Sequence, residues 1–137
     1  MEASNPPGRS VSLVVPAKPD YVVLARLALS AVCRLSPLAP EEVADLKLAI
    51  TEASNYLMGG ERRQLSRGDG DAVGRLTFKF DLADDSIELC VGGDEMPTVS
   101  AEERELSVAL IKATVDSYEY GDGLMRLTKR LDFGADE

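Results

Sequence analysis

Two short stretches of strict alternation constrain this chain most. Leu76, Phe78, Phe80 and Leu82 are separated by Thr77, Lys79 and Asp81, and Ile87, Leu89 and Val91 repeat the same spacing. A period of two puts one kind of side chain on one face of a strand. Between the runs lies Ala83-Asp84-Asp85-Ser86, a turn composition. The pair reads as a β-hairpin with one buried face, and an apolar sheet face needs another layer to cover it.

The remaining sequence supplies that layer and more strands. Residues 1–9 are polar, contain Pro-Pro-Gly and read as a loose tail. Val11, Leu13 and Val15 alternate in a half-buried strand that Pro16 closes. Residues 20–34 read as a helix whose main stripe is Tyr21, Leu24, Ala25, Ala28, Leu29 and Val32. Val22, Val23, Leu27 and Ala31 fall outside that stripe, so the helix is apolar nearly all round. Such a helix is covered on more than one side, either within the core or by a second chain. Pro40 with Glu41 and Glu42 opens a second helix, with proline in the first turn and acids at the positive end of the dipole. Its stripe is Val43, Leu46, Ile50, Ala53 and Leu57, and Gly59-Gly60 reads as its stop. Residues 61–73 are polar and Gly-rich and contain Arg62, Arg63 and Arg67, as a solvated loop does.

Ser100 followed by Glu103 is a capping-box pattern for a third helix, expected to run through Leu106, Ala109, Leu110 and Ala113 to about Asp116. A second hairpin follows, with strands near residues 117–120 and 124–131 around Gly121-Asp122-Gly123. Hairpins without steady strand–helix alternation predict a two-layer α/β sandwich, with a mixed, mostly antiparallel sheet and helices on one face. One domain over residues 10–132 accounts for the pattern, leaving residues 133–137 as a second tail.

Composition removes several functions. Fifteen basic against twenty-four acidic residues give a net charge of −9. That is not a nucleic-acid footprint, and an anionic membrane repels it. The 137 residues contain no histidine, which excludes His-based triads, His metal sites and histidine phosphorylation on this chain. Cys33 and Cys90 match no metal spacing and read as free thiols of a reducing compartment, here the cytoplasm. No apolar run approaches the roughly 20 residues of a membrane span, and the first residues do not resemble a signal peptide.

Glu52 is the first chemical candidate. It shares a helix side with Asp45, Ala49 and Tyr56 and borders the apolar stripe, where burial can raise a carboxyl's pKa and make it a base. Arg26 is the second, a lone charge inside the apolar first helix.

The segment Leu46-Lys47-Leu48-Ala49-Ile50-Thr51-Glu52-Ala53 resembles the helix motif of the anti-sigma factor and serine kinase family of bacterial partner-switching systems. That family has the ATP-binding fold shared with histidine kinases, gyrase and Hsp90. Val15-Pro16-Ala17-Lys18-Pro19 is similar to its opening strand and turn, and Leu24-Ala25-Arg26 to its first helix. Residues 109–116 are similar to the helix after its nucleotide lid, and residues 126–131 to its last strand. The resemblance implies a sigma factor and an anti-anti-sigma (STAS-domain) protein as partners, a homodimer, Arg26 as a partner contact, and Glu52 as the base of a serine kinase. If nucleotide binds, the resemblance points to Asn55, Asp94 and Thr128.

The family's nucleotide boxes are degenerate here. The metal-binding Asn expected four residues after Glu52 is Tyr56, and Asn55 is one residue early, about 100° around the helix. The adenine-binding Asp falls on Gly93, with Asp94 one residue late. The phosphate loop falls on residues 102–108, which have no glycine and include Glu102, Glu103 and Glu105. Those acids already complement the helix dipole and repel phosphate. The residues therefore favour a partner-binding regulator that needs no cofactor over an enzyme. The alternative is an ATP-dependent serine/threonine kinase of the anti-anti-sigma partner, using Mg-ATP.

Overall fold

The computed structural model describes residues 9–59, 74–94 and 99–131. Five strands form one sheet: β1 (Arg9–Pro16), β2 (Arg75–Leu82), β3 (Ser86–Gly93), β4 (Ser117–Gly121) and β5 (Leu124–Arg130). Their spatial order is β1-β2-β3-β5-β4, and every ladder is antiparallel, so the sheet contains no parallel pair. Among the described residues, three helices, α1 (Pro19–Cys33), α2 (Pro40–Leu57) and α3 (Ala101–Lys112), complete a two-layer α/β sandwich. Residues 1–8 of the tail expected over 1–9, the arginine-bearing loop and the last residues lie outside the described residues. Arg9, expected in the tail, already belongs to β1.

The central hairpin forms as the alternation dictates. Leu76, Phe78, Phe80, Leu82, Ile87, Leu89 and Val91 are all buried. Phe78 and Leu13 share a register position, as do Phe80 and Leu89, so one face of three strands is continuous. Met125 and Leu127 extend that face onto β5. The second hairpin turns through Asp122 and Gly123, with φ of 55° and 75°. Two left-handed residues in a two-residue turn match the right-handed twist of the flanking strands.

Helix α2 covers the middle of this face. Pro40 stands in its first turn, the Ala39 N–H donates to the Glu42 carboxylate at 2.8 Å, and Gly59 ends it with a φ of 93°. Leu46, Ala49, Ile50, Ala53 and Leu57 are buried beneath it, and Val43 is half-buried at its edge. Helix α1 packs on α2 and over β1 and β2. Its buried residues are Val22, Ala25, Leu29, Val32 and Cys33. The buried stripe is thus rotated from the expected one: Val22 turns inward, whereas Tyr21 and Leu24 are exposed. A helix apolar all round carries little contrast by which to select its inner face. Val23, Leu24 and Leu27 remain on the surface, Leu27 at 61% exposure.

Helix α3 starts as expected, with the Glu103 N–H donating to Ser100 Oγ at 3.1 Å. It ends at Lys112, earlier than expected, where Thr114 Oγ1 turns back to the Ile111 carbonyl at 2.8 Å. Only Ile111 is buried along it, and Leu106 is 63% exposed. So little packing makes α3 depend on its cap. Ser100→Ala should cost about 1 kcal/mol, read as faster amide hydrogen exchange across its first turn.

Both cysteines are free. Burial raises the Cys33 thiol to about 11. The Cys90 thiol is raised as well, first by burial and against the opposing hydrogen bond from Arg126. Cys90 alternates with buried Leu89 and Val91, which places it on the sheet face away from the helices.

Candidate functional site

The facing surfaces of α2 and α3 leave an open cleft of about 240 Å³, lined by Glu52, Asn55, Tyr56, Val99, Glu103, Leu106 and Ser107. The three α2 residues share one side of that helix because they fall within one turn. Glu103, Leu106 and Ser107 follow the i, i+3, i+4 spacing on α3. Glu52 is half-buried, and Ser107 Oγ donates to its Oε1 at a long 3.5 Å. Tyr56 is 7% exposed and meets Tyr120 of β4 edge to face, with ring centroids 5.6 Å apart. The Tyr120 hydroxyl is raised by burial first, then by the neighbouring Tyr56, while the Arg104 guanidinium opposes the shift. Among the described residues the lining thus carries two acidic residues, Glu52 and Glu103, and no basic one.

Of the other residues suggested by the sequence, Asn55 joins Glu52 in the lining and the rest are not part of it. Asp94 instead closes the open end of the central hairpin: its Oδ2 accepts from the Arg75 backbone N–H at 3.1 Å and from Arg75 Nε at 3.2 Å. It borders a separate crevice with Leu57, Met58, Gly74 and Gly93, whose volume is about 10 Å³. That is about the space of one water probe. A Cβ at Gly93 would stand 3.5 Å from Leu57 Cβ, an ordinary van der Waals contact with the end of α2. Thr128 is in register with Glu88 and Ser117 and alternates with buried Leu127. It therefore lies on the sheet face opposite the helices. Among the described residues, no group of three or more acidic or cysteine side chains is placed to hold a metal ion.

Arg26 is half-buried on α1. By helical spacing it lies one turn from buried Val22 and Leu29 and from exposed Val23. It forms no ion pair among the described residues. It stands at the border between the packed side of α1 and the exposed apolar strip of Val23, Leu24 and Leu27.

Sequence reasoning missed Val99, and it met Glu103, Leu106 and Ser107 as site residues only within the stretch equivalent to the phosphate loop, with Glu103 also in a cap. The available signal was the spacing of Glu103, Leu106 and Ser107 on one side of α3. Tyr120 carried no such signal, because β4 reaches Tyr56 only through the pairing of β4 with β5.

No family model matches the chain. Individual relatives do. It is 30% identical over 112 residues to the serine-protein kinase RsbW of Listeria innocua, covering 82% of this chain and 62% of that protein. It is 31% identical over 81 residues to the RsbW of Bacillus pumilus, covering 59% of this chain and 48% of that protein. The RsbW of Oceanobacillus iheyensis gives 32% over 81 residues, with the same two coverages. The chain therefore spans between about half and five-eighths of the length of these relatives. Similarity over most of the chain, on a helix-covered antiparallel sheet whose elements follow the expected order, identifies this chain as a member of an RsbW-like family.

Proposed function

We propose that this chain is an anti-sigma factor-like regulatory protein. In this reading one domain over residues 10–132 acts in the bacterial cytoplasm, where it binds a sigma factor, an anti-anti-sigma protein with a STAS domain, or both, and makes little or no use of ATP. The observation that supports the reading is that the nucleotide elements do not line one cleft among the described residues. Asn55 lies in the α2–α3 cleft, Asp94 is bound to Arg75 beside a crevice of about 10 Å³, and Thr128 lies on the far face of the sheet. A nucleotide needs its base, metal and phosphate contacts in one place. The α2–α3 cleft is lined by Glu52 and Glu103, whose charges oppose a phosphate, and Ser100 already accepts from the Glu103 N–H at the N-terminus of α3. The exposed strip on α1 beside Arg26 supports a protein-binding surface, and it suits a second copy of the chain as well as a foreign partner.

The second reading is an ATP-dependent serine/threonine kinase acting on the anti-anti-sigma partner. The relatives are named serine-protein kinases, and Glu52 sits half-buried in a cleft as a base would. Surface-immobilised protein, titrated with a purified sigma factor from the same genome, separates the two. A binding protein captures the sigma factor with an affinity unchanged by Mg-ATP. Capture that requires Mg-ATP, or transfer of phosphate to a STAS-domain protein, supports the kinase instead.

A further inference from the structure

The α2–α3 cleft combines three features. Its carboxylates, Glu52 and Glu103, form no ion pair among the described residues, and the one bond to Glu52 is the long contact from Ser107. Its floor includes Tyr56, which is 7% exposed and has a hydroxyl with no hydrogen-bond partner among the described residues. Its walls include Val99 and Leu106, the latter 63% exposed and thus an apolar surface left open among the described residues. A carboxylate pair calls for a cation, a buried phenol oxygen for a donor, and an apolar wall for an aliphatic stem. Arginine and lysine side chains offer all three on one flexible rod, and arginine adds a planar fork that reaches two acceptors at once. The acidic net charge steers a basic segment towards this surface.

The geometry points to this cleft as a receptor for a basic side chain, arginine before lysine, presented by a leucine-bearing segment of a protein partner. The inference rests on the reading of the chain as a partner-binding protein, and adds that the place corresponding to the family's nucleotide cleft is given over to a cation.

The probe is a fluorescein-labelled hexapeptide of alternating Leu and Arg, acetylated and amidated, measured by anisotropy against the whole protein at about 0.15 M salt, where distant charges are screened. The arginine peptide should bind, and its glutamate counterpart should not. Glu52→Gln and Glu103→Gln should each weaken binding by about five-fold or more. Asp84→Asn, in the exposed turn of the central hairpin, should leave it unchanged. Glu103→Gln keeps the backbone N–H that caps on Ser100, and thermal melts verify that both variants fold. An equal loss with Asp84→Asn would reduce the binding to general attraction by an acidic protein and overturn the proposal. So would no binding at all, or displacement of the peptide by spermidine through the same two glutamates at lower concentration, which would make the cleft a small-cation site. A Mg-ATP titration on the same samples separates the failures. Silence with both peptide and ATP removes only the cation site, whereas ATP binding removes the reading beneath it.

Discussion

Leu46→Ala and Ile50→Ala should each lower the unfolding free energy by about 2–5 kcal/mol, read as a fall in the urea midpoint at an unchanged slope. Both side chains are fully buried. They lie on the side of α2 pressed between the sheet and the flanking helices, so truncation leaves a cavity that rigid β-strands on one side cannot fill. A domain of this size has only about 5–15 kcal/mol to lose. Leu48, on the same helix but 42% exposed, is the internal comparison. Leu48→Ala should stay within about 0.5 kcal/mol of the parent. If Leu46→Ala and Ile50→Ala are neutral while Leu48→Ala is not, α2 has the opposite face inward.

Arg26→Ala should weaken capture of a sigma factor or anti-anti-sigma partner by about 1–3 kcal/mol, roughly five- to 150-fold. Its effect on unfolding should be small, because the residue is half-buried and makes no ion pair among the described residues. The expectation joins two independent grounds. One is the resemblance of Leu24-Ala25-Arg26 to the helix of a family in which this arginine meets the partner. The other is its position beside Val23, Leu24 and Leu27, an apolar strip left without cover. A cation at the edge of an apolar strip gives directional hold to a surface that otherwise recognises only shape. Arg26→Lys should recover part of the loss, since the charge remains but the planar fork is gone. Surface plasmon resonance on the purified pair decides this, and unaltered binding by Arg26→Ala places the partner surface elsewhere.

The legibility of the fold followed the contrast between neighbouring residues. The central hairpin alternates apolar and polar residues, with Cys90 the one soft exception, and its face formed as read. Helix α2 carries proline, acids and a terminal glycine at the right places, and it starts at the expected proline and ends just before the expected glycine stop. Helix α1 has valines and leucines all round, so its period revealed a helix but not which side faces α2. Helix α3 showed the opposite weakness. Leu106 and Ala109 lie at helical spacing and resemble a core stripe, yet Leu106 faces an open cleft because α3 sits at the margin of the layer and buries only Ile111. The candidate site was legible on α2 alone. Glu52 and Asn55 are three residues apart on one helix, and local geometry brings them together. Asp94 and Thr128 depend on sheet register and on which face each side chain takes, and a shift of one residue reverses that face. That neither lines the cleft therefore became visible only once the strands were paired.

Calorimetric titration of the purified protein with Mg-ATP tests the central claim most directly, namely that the family's fold is kept here for binding proteins rather than nucleotide. No saturable heat should appear at ATP concentrations up to about 1 mM, an affinity weaker than about 4 kcal/mol, with or without magnesium. Saturable binding in the low micromolar range that disappears with EDTA and with Glu52→Gln would contradict the account.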